Sequence, residues 1–199
     1  MPVENILLAT FTEKAAKELI TRISNRTIEI GMPINISDML IGTLHSIFLR
    51  LLDEYRQYTT LKRNYRTLDD FDQQYLIYQN NKRFDEIDGI KLLLNNCETY
   101  LWSSAQKLCS LMNKVSEENL DLDLLAKCEN DKLKVLATVV RTYRSILAEE
   151  NALDFSLIQT HFWHLLKNEE VLGKLRQRIR YLMVDEYQDT SDLQEEFIG

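Results

Sequence analysis

The chain has 199 residues, 45% hydrophobic and 28% charged, which is enough for one core and a smaller satellite lobe. It contains only 5 Gly and 2 Pro, against about 14 and 10 at average usage, so long helices are expected and an all-β sandwich or barrel is not. A net charge of −7 excludes a histone-like basic binder but leaves room for a local basic groove.

No apolar run approaches the roughly 18–20 residues of a membrane span. The N-terminal residues lack the basic and apolar regions of a signal peptide. Cys97, Cys109 and Cys128 are odd in number and widely spaced, with no C-x-x-C, so neither a disulfide framework nor a zinc ribbon is indicated. These readings predict a cytoplasmic protein.

In chain order, the first element is a buried parallel strand over 6–10 (ILLAT), apolar on both faces. Thr12 then caps a predicted helix whose stripe is Ala15, Ala16, Leu19, Ile20 and Ile23. A second strand is predicted over 39–42 (MLIG), followed by a helix presenting Ile47, Phe48, Leu51 and Leu52. From about Tyr58 to Glu150 the periodicity is helical, without a strand: Phe71, Tyr75 and Tyr78, then Ile90, Leu93 and Leu94, then Leu101, Leu108 and Met112. Leu133, Leu136, Val139, Val140, Tyr143 and Leu147 continue it. A third buried strand is predicted over 181–184 (YLMV). Strand, polar turn and helix in repetition define an α/β fold with a partial parallel sheet. The expected organisation is an α/β part over 1–57, an all-α insertion over 58–150, and a return over 151–199.

The strongest chemical signal is the string DEYQDT at 185–190, which closes the third strand. At a nucleotide site Asp185 could hold Mg²⁺ and Glu186 could orient or deprotonate the attacking water. The competing reading is an acidic first helical turn. On their own, Phe11 reads equally well as a core aromatic beside a strand end, and His45 as a helix-cap residue bonding to backbone. Tyr55, Tyr58, Lys62, Arg63, Tyr65 and Arg66 interleave aromatic and basic types, a pattern of nucleic-acid surfaces. His161 and His164 stand at i,i+3 without further zinc ligands, and read as structural or surface histidines. The basic run Lys174, Arg176, Arg178 and Arg180 fits a solvated helix end as well as a phosphate contact. Trp102 and Trp163 read as core residues.

Taken together the motifs resemble those of UvrD/Rep-like superfamily 1 DNA helicases. DEYQDT is similar to motif II. TFTEKAA at 10–16, with Glu18, Leu19 and Arg22, is similar to motif Ia. TLHS at 43–46, with Leu49–Leu52 behind it, is similar to motif Ib, and LDF at 153–155 resembles a segment that precedes motif II. Glu13, Leu44 and Ser156 depart from the residues common in that family, which are Asn, Phe and Asp.

The resemblance implies a P-loop NTPase (RecA-like) motor domain. Residues 1–57 and 151–199 would belong to nucleotide-binding subdomain 1A and residues 58–150 to helical subdomain 1B. It also implies an ATP-dependent 3′→5′ helicase or translocase working in DNA repair or replication. ATP, Mg²⁺, single-stranded DNA or a single-strand/duplex junction, and the remaining helicase domains would be its partners. Glu186 would be catalytic and Asp185 the Mg²⁺ ligand, with Gln188 and Asp189 supporting the nucleotide site. Phe11, Thr12, Lys14, Thr43 and His45 would contact DNA. No G-x-x-x-x-G-K-[ST] phosphate loop occurs in the sequence, since Gly173 and Lys174 are followed by Leu175. The chain is therefore expected to be a piece of a longer helicase, inactive alone as an ATPase. Two alternatives stand beside this reading: the motor of a recombination helicase–nuclease, and a non-catalytic DNA- or protein-binding module.

Overall fold

The computed structural model describes residues 2–32, 34–118 and 120–185. The chain forms two compact units, Met1–Leu61 with Ile158–Gly199, and Lys62–Leu157. The first unit opens with β1 (Ile6–Thr10), α1 (Glu13–Glu29), β2 (Leu40–Thr43) and α2 (Leu44–Glu54). The second holds β3 (Arg66–Thr67), α3 (Asp70–Gln79), α4 (Asn81–Asp85), α5 (Ile90–Leu94), α6 (Trp102–Glu117), α7 (Leu122–Lys127), α8 (Asp131–Glu150) and β4 (Ala152–Leu153). The chain returns to the first unit through α9 (Phe155–Leu166), then α10 (Glu169–Arg178) and β5 (Tyr181–Val184). The result is the helix-rich α/β fold expected from the sequence.

In the first unit the strands run parallel in the order β2-β1-β5. Leu7 stands opposite Leu40, Ala9 opposite Gly42, and Leu8 opposite Met183. β2 begins one residue later than predicted because the Met39 N–H closes a 3₁₀ turn onto the Ile36 carbonyl. At its other end Thr43 pairs with Thr10. A Cβ on Gly42 would lie 2.4 Å from Ser46 Oγ, so glycine is what lets β2 lie close to α2. α2 buries Leu44, Ile47, Phe48, Leu51 and Leu52, and Phe48 stacks on Phe162 of α9 with ring centroids 4.2 Å apart.

The opposite layer is thinner than the sequence suggests. Only Ala16 of the predicted α1 stripe is fully buried, and its other members are half-buried. Likewise β5 is not the fully buried strand expected: Tyr181 and Met183 remain about half exposed. Among the described residues β5 pairs only with β1, so one of its edges meets no strand.

The second unit is a helical assembly around Phe84, Leu94, Leu108, Val139, Ile146 and Leu147. Its reading as strand-free is corrected by β3 and β4, a two-residue parallel pair. The Arg66 N–H donates to the Asn151 carbonyl (3.0 Å) and the Leu68 N–H to the Leu153 carbonyl (2.8 Å). Asn151 makes this possible, because it ends α8 in a left-handed conformation (φ 49°) that asparagine tolerates. The two-residue pair is too short to leave a period-2 pattern. The compact second unit runs on to Leu157.

α3 corrects another expectation. Phe71, Tyr75 and Tyr78, the apolar positions read at helical spacing, face outward at 64%, 44% and 38% exposure, while Gln73, Leu76 and Ile77 are buried. The helix carries two candidate stripes, and the aliphatic pair with one satisfied glutamine is the one that meets the core. Trp102 and Trp163, read as core residues, are half-buried, with Lys167 Nζ over the Trp163 ring at 5.8 Å.

Candidate functional site

Because the three strands of the first unit run parallel, their carboxyl ends gather at one edge of the sheet. Thr10 pairs with Thr43, Ala9 with Val184, and the Asp185 N–H donates to the Ala9 carbonyl at 2.9 Å. Three segments separated by up to about 170 positions in sequence thus end side by side: Phe11 and Thr12, Leu44 and His45, and Asp185. In open α/β sheets this carboxyl edge is where ligands bind.

Thr12, exposed and extended, is the N-cap of α1 and accepts the Ala15 N–H at 3.1 Å. Phe11 beside it is half-buried and Lys14 is exposed. Thr43 is buried and caps α2, its Oγ1 accepting the Ser46 N–H at 3.2 Å while its carbonyl accepts the Ser46 hydroxyl at 2.8 Å. His45 is half-buried, its Nε2 3.0 Å from the Gln159 amide nitrogen of α9. With the ring proton on Nδ1, the amide donates to Nε2, fixing the imidazole plane. Sequence reasoning missed Gln159, which reads as a surface residue in an amphipathic helix.

Asp185 is exposed directly beyond β5. An exposed carboxylate at this edge suits Mg²⁺, a hard cation commonly held by one or two carboxylates together with phosphate and water oxygens. Glu186, Gln188 and Asp189 lie outside the described residues. Among the described residues no group of three His, Cys, Asp or Glu side chains comes together as a metal site, His161 and His164 included. Burial, and then the proximity of His164, lowers the His161 pKa.

Within the basic run before β5, Lys174 and Arg178 are engaged within the protein. Lys174 donates to Glu170 at 2.7 Å and to the Tyr58 hydroxyl at 3.1 Å, contacts that raise its pKa. Arg178 Nη1 donates to both carboxylate oxygens of Glu54, at 2.7 and 2.8 Å. Of the interleaved stretch, Tyr55 is buried, whereas Lys62, Arg63 and Arg66 are exposed. No helix among the described residues is long and apolar enough to cross a membrane.

Asp154, within the LDF string, belongs to the second unit and is buried. Its Oδ1 accepts the Leu157 N–H at 2.8 Å and its Oδ2 accepts from Gln73 Nε2 at 3.3 Å. Gln73 also donates to Asn113 at 3.0 Å and accepts from Cys109 Sγ at 2.9 Å. Burial raises the Asp154 pKa, opposed chiefly by the Leu157 N–H. Burial also raises the pKa of Tyr143, whose hydroxyl lies near Asp154 and Gln73 without a hydrogen bond.

The helix-rich α/β fold with its small parallel sheet is of the P-loop NTPase type. The chain belongs to the UvrD/Rep helicase family: the family model described as "UvrD/REP helicase N-terminal domain" matches residues 1–199. It is 27% identical over 199 residues to the ATP-dependent DNA helicase SRS2 of Saccharomyces cerevisiae, covering 96% of this chain. It is 31% identical over 195 residues to a probable DNA helicase II homolog of Rickettsia conorii, again covering 96% of the chain. To the ATP-dependent DNA helicase Rep of Buchnera aphidicola it is 32% identical over 202 residues, with 98% of the chain covered. The chain spans only 16%, 27% and 28% of those relatives' lengths.

Proposed function

We propose that this chain is part of a DNA helicase motor that couples hydrolysis of Mg²⁺-bound ATP to 3′→5′ movement on single-stranded DNA. The observation that carries the reading is the convergence of the Ia-, Ib- and II-like segments on one sheet edge. The first unit is then motor subdomain 1A and the second is insertion 1B.

In this reading Asp185 holds Mg²⁺, which neutralises charge on the phosphates during hydrolysis. Glu186 accepts a proton from the attacking water, with Gln188 and Asp189 supporting the nucleotide. Phe11 stacks on a base, while Lys14, Thr12 and Thr43 meet phosphates. Thr12 and Thr43 use their oxygens as cap acceptors, and each hydroxyl still has its own proton to donate. His45, at the start of α2 and against Gln159, stands at the same edge. With no phosphate loop among the 199 residues, hydrolysis needs residues from the rest of a longer protein.

The test is a pair of variants in the longer protein. Asp185→Asn is expected to abolish ATP turnover while single-strand binding persists. Phe11→Ala is expected to weaken single-strand binding about 5- to 150-fold, the loss of about 1–3 kcal/mol of stacking, with DNA-independent turnover retained. ATP turnover by the isolated 199 residues, or by the Asp185→Asn protein, contradicts the proposal.

A further inference from the structure

α3 carries an aromatic face that the second unit leaves in solvent. Phe71 and Tyr75 stack with parallel rings 6.2 Å apart, and Trp102 of α6 touches Phe71 and Tyr78 at 5.7 Å each. Four aromatic rings therefore form one continuous surface in which Phe71 is 64% exposed. Aromatic side chains are costly to leave in water, and a contiguous exposed group of them marks a contact site.

The charge around this surface selects the partner. Asp69 and Asp70 are exposed and Asp72 half-exposed, all at the start of α3 beside Phe71. Among the described residues none of these three carboxylates forms an ion pair. Neither α3 nor the first turn of α6 contains Lys or Arg. Asp69 caps α3 by accepting the Asp72 N–H at 2.8 Å, yet a phosphate backbone would still meet three carboxylates without a basic side chain on these two segments, which disfavours a nucleic-acid strand. A protein segment with apolar anchors and lysine or arginine flanks would meet both halves of the surface.

We propose that this aromatic face is a docking site for a basic amphipathic segment of a protein partner. It is distinct from the sheet-edge site and does not depend on the helicase reading. The probe is a fluorescent 15-residue peptide with leucines on one helical face and lysines on the other. It is compared with the same peptide carrying glutamates and with a dT20 strand. The lysine peptide is expected to bind more weakly as salt rises. Phe71→Ser with Tyr75→Ser should lower its affinity at least 10-fold. Asp70→Asn with Asp72→Asn should lower it at least 3-fold and flatten the salt dependence. Both pairs lie on exposed or half-exposed positions, and circular dichroism checks that the fold is retained. Equal binding of the two peptides overturns the proposal, as does lysine-peptide binding that ignores the aromatic pair. A dT20 affinity that falls with the aromatic pair also overturns it, in favour of a nucleic-acid platform.

Discussion

Replacing Asp154 tests the buried network of the second unit. Asp154→Ala removes the acceptor for the Leu157 N–H, an N-cap contact worth about 1 kcal/mol. It also takes one acceptor from the buried Gln73 amide, which costs about 1–3 kcal/mol if nothing replaces it. Gln73 keeps Asn113, so the lower end applies and a total loss of about 2–3 kcal/mol is expected. Asp154→Asn preserves an oxygen for Leu157 but turns its NH2 toward the Gln73 amide donor, so it removes the same acceptor and should cost about 1–2 kcal/mol.

The pH dependence separates the carboxyl's charge from its shape. Burial raises the Asp154 pKa, so the folded chain keeps a proton that the unfolded chain has already released. The contribution is complete below the ordinary Asp value of about 3.9 and is lost as pH climbs from there through the raised value. The stability of the wild type minus that of Asp154→Asn must therefore fall with rising pH over this interval and be flat on both sides. The assay is urea unfolding from pH 3.5 to 8, followed by Trp102 fluorescence in a Trp163→Phe background so that the signal comes from the same unit. A difference that stays flat, or rises with pH, refutes the assignment of a desolvated carboxyl.

Two further outcomes follow from contacts at named atoms. Gly42→Ala should destabilise by about 2–3 kcal/mol, because its Cβ displaces Ser46 Oγ, which lies 2.4 Å away and donates to the Thr43 carbonyl. In a Ser46→Ala background the next atoms are at 3.7 and 3.9 Å, so chemical denaturation should show little additional loss, and a persisting cost would refute the close-approach argument. Thiol labelling at pH 8 should modify exposed Cys97 quickly. Cys109, buried and with its pKa pushed up to about 12, should react only on unfolding, a contrast that peptide mass mapping reads directly.

What was legible in the sequence followed from how strongly each signal is enforced locally. The strand at 6–10 was readable because both its faces are apolar, and α2 because its stripe meets a complete core. β5 had the same apolar pattern, yet burial depends on what covers a strand, which four residues do not encode. α3 failed for a related reason. Aromatic and aliphatic stripes of one helix have equal periodicity, and only the tertiary partner of Gln73 settles which faces inward. The site motifs were visible as strings and in order, but Gln159 and Gln73 were not. A glutamine on an amphipathic helix looks solvated until an imidazole or a carboxyl from a distant segment is found against it.

The sheet edge also shows why motif and fold are inseparable here. Thr12 stands in the turn after β1 and Thr43 is the buried last residue of β2, and each is also the N-cap of the next helix. A capping hydroxyl can still donate because the cap uses its oxygen as acceptor and leaves the proton for another partner. The helix start in turn fixes the side chain that follows, so the cap on α2 sets where His45 meets Gln159. Alanine at Thr43 would therefore lose about 1 kcal/mol of helix stability before any ligand is considered. Serine keeps the hydroxyl and isolates the methyl group. Any loss of DNA affinity at either threonine carries meaning only as the difference between those two substitutions.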